Sequence, residues 1–333
     1  MKKKAILITG VAGCLGANLA EWICNNHPEY EVVGLDDLSG GYKDFVDDRV
    51  VFYLQDCGSN LDYIFKNHNI EIVYHAAAIA AEACATFRRT YYYTNNIVNS
   101  SNIVNYCITH KVERLVYFSS MAVYGRNKVP FTESQIPAPV DPYGIGKYAV
   151  EMDLRAARDT HGLKWTIVRP HSVYGKYQNI WDRYRNVLGI WMLKTLNKQP
   201  LSIYGDGSQR RAFTYVDDIL EPLWLCGTSE NTLWETFNIG NDDDRSIIYA
   251  AKVCKEVCVN GKELEFMPAI HEVMEAYSDH SKAKKILGLE CKTPLREGLE
   301  KMWEWAKNQP IRKVSAIEDF EIQEGIYEMW KKK

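Results

Sequence analysis

Residues 5–16 read Ala5-Ile6-Leu7-Ile8-Thr9-Gly10-Val11-Ala12-Gly13-Cys14-Leu15-Gly16, an apolar run that breaks into three glycines spaced three apart. Ala5–Thr9 has the composition of a strand buried on both faces, and the residues that follow adopt a helical pattern to about residue 26. Glycines at a strand-to-helix turn let the backbone fold tightly and approach a pyrophosphate. The helix N-terminus adds N–H donors and the positive end of its dipole. Asp36 closes the next apolar run twenty residues after Gly16, the spacing of a carboxylate on an adenosine ribose. Such a carboxylate accepts hydrogen bonds from ribose hydroxyls and repels a 2′-phosphate. No arginine occurs within 36–42, so the turn predicts NAD rather than NADP. Gly10, Gly13, Cys14, Leu15, Gly16 and Asp36 are therefore expected at the cofactor, with Asp56, Cys57 and Ala76 behind the third and fourth strands. Asp56 has a second reading, as the cap of a helix over 58–67.

The same N-terminal stretch also has the outline of an export signal. Three lysines precede an uncharged run, and Val11-Ala12-Gly13-Cys14 looks like a lipoprotein cleavage box. Thr9 and Gly10 interrupt the apolar residues too early for a membrane span, which favours the phosphate-cradling turn.

Working outward, β-branched runs at Glu31–Leu35, Val50–Leu54, Ile70–Tyr74, Arg114–Ser119 and Lys164–Val168 alternate with amphipathic stretches around 16–26, 59–67, 88–109 and 143–161. This rhythm predicts βαβ units and a doubly wound parallel α/β sheet. Beyond residue 170 the segments lengthen, with turn clusters at Tyr204–Gly207 and Asn241–Asp244. We expect a cofactor-binding domain over 1–170 and a smaller C-terminal substrate-binding lobe over 171–333, with parts of 205–245 returning to the first domain. A chain of 333 residues has room for both. With 40 basic and 43 acidic side chains, the charge balance excludes nucleic acid or an anionic membrane held by bulk electrostatics. Nine scattered cysteines without a C-x-x-C predict reduced thiols, a cytoplasmic location and no metal site.

Asp141-Pro142-Tyr143-Gly144-Ile145-Gly146-Lys147 places Tyr143 and Lys147 at i and i+4 on one helical face. An ammonium beside a phenol stabilises the phenolate and lowers its pKa towards neutrality, which makes the tyrosine a base. Upstream, Ser119-Ser120-Met121-Ala122-Val123-Tyr124-Gly125 ends a strand and offers a hydroxyl at the carboxyl edge of the sheet. A tyrosine and lysine at this spacing are otherwise a common solvated helix pair. His75 reads as a hydrogen-bonded structural histidine.

Together, TGVAGCLG (9–16), LDDLSGG (35–41), YHAAA (74–78), YFSSMAVYG (117–125), PYGIGK (142–147), VRPHSVYG (168–175), YGDGSQRRAFTYVDDI (204–219), FNIG (237–240) and YSDHSKAKKILG (277–288) resemble the extended short-chain dehydrogenase/reductases. Within them the match is to nucleotide-sugar epimerases and dehydratases. The resemblance implies Tyr143 as acid/base, Lys147 on the nicotinamide ribose and Ser120, rather than Ser119, as the partner hydroxyl. Family 4,6-dehydratases carry an Asp-Glu pair after that hydroxyl, and 3,5-epimerases usually a cysteine in the same loop. This chain has Met121-Ala122, which moves no proton. A 4-epimerase of a UDP-hexose of the glucose/galactose type is implied, N-acetylated and uronic forms included. In that chemistry Tyr143 takes the 4-hydroxyl proton, NAD⁺ accepts hydride from C4, and the 4-keto sugar turns before hydride returns to its other face.

For the nucleotide anchor the resemblance implies Arg211 on phosphate, Asn186 on the pyrophosphate and Tyr204 against the base. A surface ion pair is the alternative for Arg211. Ser172 stands where relatives usually carry Asn, and Ile270 and Met274 lie in a stretch that normally supplies a basic residue. Ala276 falls at a gate whose small size admits an N-acetyl group. A homodimer through helices 88–109 and 143–161 is also implied. The rival readings are a 4-ketoreductase that releases its cofactor and a non-catalytic NAD-binding sensor.

Overall fold

The computed structural model describes residues 3–270, 272–314 and 320–331. Seven strands form its central sheet: β1 (Lys4–Thr9), β2 (Glu31–Asp36), β3 (Val51–Leu54), β4 (Asn69–His75), β5 (Arg114–Phe118), β6 (Trp165–Pro170) and β7 (Thr236–Ile239). They are parallel, in the spatial order β7-β6-β5-β4-β1-β2-β3. The order reverses between β1 and β4, and a doubly wound sheet opens its ligand crevice there, beyond the carboxyl ends of the strands. Six of these strands match the runs read from the sequence. β7 is an addition, because four residues between turn clusters carry too little periodicity to register.

Burial on both faces explains the uncharged N-terminus. Ala5, Ile6, Leu7 and Ile8 are fully buried, with Ile6 and Ile8 in one core and Ala5 and Leu7 in the other. That stretch is a central strand. Helix α1 (Cys14–Asn26) covers one face through Leu19, Ala20 and Ile23. The helices Asn99–Thr109 and Pro142–His161 cover the opposite face through Ile103, Val104, Val150 and Leu154. Among the described residues no helix is long and apolar enough to cross a membrane.

The C-terminal lobe packs the helices Val187–Leu196, Ile247–Val257 and Leu295–Ala306 around a separate core with Trp191, Met192, Leu299 and Met302. Three short sheets border it. The chain then crosses back: Tyr74 donates its hydroxyl hydrogen to the Trp224 carbonyl at 3.0 Å, and β7 pairs with β6. The helix Ser281–Leu287 joins that same core through Ala283 and Leu287.

The catalytic-looking helix is well delimited. Asp141 caps it by accepting from the Gly144 N–H at 3.0 Å, Pro142 opens it, and Gly162 ends it at φ +70°. One turn beyond Lys147, buried Glu151 accepts two hydrogen bonds from Arg169, at 2.9 and 2.5 Å. Glu151 also accepts from the Ser119 hydroxyl at 2.5 Å, and Arg169 donates to the Tyr124 hydroxyl at 2.8 Å. This network locks the helix to the ends of β5 and β6.

Candidate active site

A cleft of about 1080 Å³ opens at the switch point, lined by residues of both lobes. Its floor is the glycine turn. Gly10 sits at φ +71°, and a Cβ there would lie 2.7 Å from the Ala77 nitrogen. A Cβ on Gly16 would collide with the Gly10 carbonyl. These two positions need glycine because the turn is pressed against β4 and folded onto its own helix. Gly13, Cys14, Leu15, Asp36, Asp56, Cys57 and Ala76 line the same floor. The cradle thus has the bare backbone, helix N-terminus and carboxylate that a dinucleotide requires, so the residues fit NAD.

Asp36 also organises the loop. Its two oxygens accept from the Ala12 and Leu38 N–H groups at 2.9 and 2.8 Å, while burial raises its pKa. Asp56 does not cap a helix over 58–67, since the helix begins only at Asp62. Its carboxylate instead closes a turn through the Gly58 N–H at 2.6 Å and is held by the Asn99 amide at 3.0 Å. Cys14 donates to the Lys176 carbonyl, and burial pushes its thiol up to about 12, so it is protonated at neutral pH. His75 bonds Thr9 and Ser100 at 2.7 and 2.9 Å, and burial pushes its pKa down to about 3. That neutral ring is a structural pin between β1, β4 and the neighbouring helix.

Ser120 and Tyr143 lie close together and both face the cleft. Ser119 is engaged with Glu151, which leaves Ser120 as the available hydroxyl. The electrostatics differ from the sequence expectation. Lys147 donates to the Phe118 carbonyl at 2.6 Å, and its nitrogen lies 5.9 Å from the centre of the Tyr143 ring. Burial dominates both groups: it raises the phenol above its ordinary value and pushes the ammonium down to about 7. A tyrosine with a depressed pKa is therefore not a property of the chain alone, because the sequence pattern shows the lysine but not the desolvation.

On the other side of the cleft lie Ser172, Asn186, Tyr204, Arg211 and Ala276. Ser172 has φ +44°, a left-handed position that asparagine also tolerates. Asn186 caps the Val187–Leu196 helix, accepting from the Leu188 N–H at 3.1 Å and donating to the Val173 carbonyl at 2.9 Å. Arg211 faces the cleft but is already paired, with Glu272 at 2.8 Å and the Val273 carbonyl at 2.7 Å. The ion-pair reading of Arg211 describes this geometry, and its place in the lining leaves it within reach of a ligand in the cleft. Ala276 is buried beside Arg211's strand, with which it pairs in register.

Three contributors were missed in the sequence reading. Glu82 follows an alanine-rich stretch and reaches the cleft lumen, where the surrounding protein pushes its carboxyl up to about 7. After desolvation, its charge is the largest influence on Tyr143. Glu151 continues the i, i+4 spacing of Tyr143 and Lys147, a signal that would have found it. Thr94–Val98 forms a π-turn within the expected 88–109 helix, and Asn95 and Asn99 at that turn line the cleft.

The sheet order, the glycine cradle and the serine–tyrosine pair define an extended short-chain dehydrogenase/reductase. Residues 6–240 match the profile of the NAD dependent epimerase/dehydratase family. The chain belongs to that family and is an NAD-dependent enzyme of the epimerase type. The UDP-glucose 4-epimerase of Halalkalibacterium halodurans is 28% identical over 325 residues, spanning 92% of this chain and 96% of its own. The UDP-glucose 4-epimerase of Thermotoga maritima, solved with UDP-glucose, superposes with a TM-score of 0.84 at 32% identity, covering 90% of this chain and 98% of its own. The UDP-glucuronic acid 4-epimerase of Bacillus cereus, solved with UDP-glucuronic acid and NAD, gives 0.83 at 27% identity, covering 91% and 99%.

Proposed function

We propose that this enzyme is a 4-epimerase of UDP-hexoses of the glucose/galactose type, working through a 4-keto sugar. The observation that carries the reading is the Ser120–Tyr143 pair beside a Met121–Val123 turn without a titratable side chain. Such a site moves one proton, at O4, and lacks on that turn the extra acid and base that elimination requires. NAD, held by the glycine turn, Cys14, Leu15, Asp36, Asp56, Cys57, Ala76, Tyr143 and Lys147, supplies the reversible oxidation at C4. Tyr143 takes the 4-hydroxyl proton and returns it to the keto oxygen, with Ser120 holding that oxygen in line. Lys147, fixed by the Phe118 carbonyl, sits beside the phenol and is charged below about pH 7. Arg211 and the N-terminus of the Val187–Leu196 helix hold the diphosphate, Tyr204 packs on the base, and Ser172 and Ala276 leave room for the sugar to turn. Ala276 is small enough to accommodate an N-acetyl group.

Two expected results test the local electrostatics. Replacing Glu272 with Gln releases Arg211, and UDP should then bind about two- to fivefold tighter, as expected for loss of a part-exposed ion pair. Calorimetric titration reads this directly; weaker binding would mean that Glu272 positions the arginine rather than competes for it. Glu82→Gln removes a charge that raises the Tyr143 pKa, so the rise of kcat/KM with pH should move to lower pH by about half a unit. An unmoved profile contradicts that coupling.

The same reading includes a homodimer. Val98, Ile145 and Met152 are exposed at 60%, 39% and 50% on the two helical segments that would pair across it. Met152→Glu should convert a dimer to a monomer in light scattering.

A further inference from the structure

The segment Phe320–Trp330 lies outside both the glycine cradle and the catalytic helix, yet it closes one side of the cleft. The Glu321 and Ile322 N–H groups both donate to the Phe87 carbonyl, at 2.9 and 3.2 Å. The Glu321 carboxylate accepts from the Thr90 and Tyr91 N–H groups, each at 2.8 Å, at the start of the Arg89–Tyr93 helix. Phe320 and Ile326 are buried in a cluster with Phe87, Tyr92 and Tyr143. Trp330 stacks on Phe320, meets Phe87 and Tyr184 edge-on, and lies near Tyr204. Phe87 belongs to the first lobe, and Tyr184 and Tyr204 to the second. One segment therefore ties the lobes together directly beside the catalytic tyrosine.

This segment presents Glu324, Gly325 and Tyr327 to the cleft, which Glu82 also lines. Neither Glu82 nor Glu324 has a hydrogen-bond or ion-pair partner among the described residues. The charged groups that act on Glu82 are Asp141, Arg211 and Glu272, two acids and one arginine that Glu272 already neutralises. Of the other arginines in the lining, Arg185 is paired with Asp182 at 3.4 Å and Arg126 is exposed to solvent.

We propose that Phe320–Trp330 is the outer wall of the hexose half of the cleft, and that Glu324 with Glu82 makes this half select uncharged hexoses over hexuronates. The proposal rests on the nucleotide-sugar reading above. Sugar hydroxyls donate to unpaired carboxylates and gain charge-assisted hydrogen bonds. A carboxylate at C6 meets like charge from both side chains, and repulsion of this kind discriminates between otherwise similar ligands.

Calorimetric binding to the NAD-loaded protein at about pH 8.5, where Glu82 is ionised, tests it without depending on turnover, with UDP, UDP-glucose and UDP-glucuronate as ligands. Wild type should bind UDP-glucose at least about tenfold tighter than UDP-glucuronate, the size of one modest like-charge penalty. In the E82Q/E324Q double variant the ratio should fall towards unity, with bound NAD unchanged as the sign of an intact fold. Tyr327→Ala should weaken UDP-glucose severalfold and leave UDP unaffected. Equal affinities in wild type, or a ratio unmoved in the double variant, overturn the selectivity. Unaltered UDP-glucose binding in Tyr327→Ala overturns the wall. Failure to bind UDP or either sugar nucleotide overturns the nucleotide-sugar reading and takes this proposal with it.

Discussion

Replacing Tyr143 with Phe is expected to lower kcat about a thousandfold while leaving NAD bound, because the change removes the hydroxyl proposed as the proton carrier and keeps the ring. The ring of Tyr143 packs in a cluster with Ala85, Phe87 and Tyr92, and phenylalanine keeps those contacts. Only the hydroxyl that meets Ser120 is lost. The cradle at Gly10–Gly16 lies on a different strand and helix, so cofactor content should be unchanged when the denatured protein is assayed for released nucleotide. Near-normal turnover in this variant would remove Tyr143 from the proton path. Loss of cofactor would instead show that the phenol is needed to hold NAD.

The second large effect concerns stability. Arg169→Met should destabilise the fold by about 3–5 kcal/mol, because it leaves the fully buried Glu151 carboxylate without its bidentate partner. The Ser119 hydroxyl, a longer contact to Arg155 at 3.8 Å and the more distant Lys147 ammonium would then face the charge. Removing both charges in Glu151→Leu/Arg169→Met should recover most of the loss, since no desolvated ion is left behind. Urea unfolding of the two variants beside wild type measures this. A cost below about 1 kcal/mol for the single change would mean that Glu151 takes up a proton or that water enters the network. The pair also sits one turn beyond Lys147, so activity should fall in the single variant even where it is folded.

What the sequence made legible was local. The strand, the glycine turn and Asp36 lie within 32 residues of one another, and Tyr143 and Lys147 within one helical turn, so spacing alone exposed them. Their electrostatics were not legible, because burial comes from residues distant in the chain. Lys147 reaches back to Phe118, and Arg211 is paired by Glu272 across 61 residues. Glu82 stands in an alanine-rich stretch with no pattern to mark it, and only the folded cleft gives it a role. β7 is too short for its period to show, and Phe320–Trp330 carries no motif at all. Its meaning comes from Phe87, Tyr184 and Tyr204, which converge on it in space.

In the proposed reaction one tyrosine, one serine and a retained cofactor invert C4. The most direct test is to incubate the purified protein, without added nucleotide cofactor, with UDP-glucose or UDP-galactose and follow the C4 configuration by proton NMR. Either starting sugar should give the same equilibrium mixture, with no net reduced cofactor released. Conversion that needs stoichiometric NADH, or no change at C4 in any UDP-hexose, would contradict it.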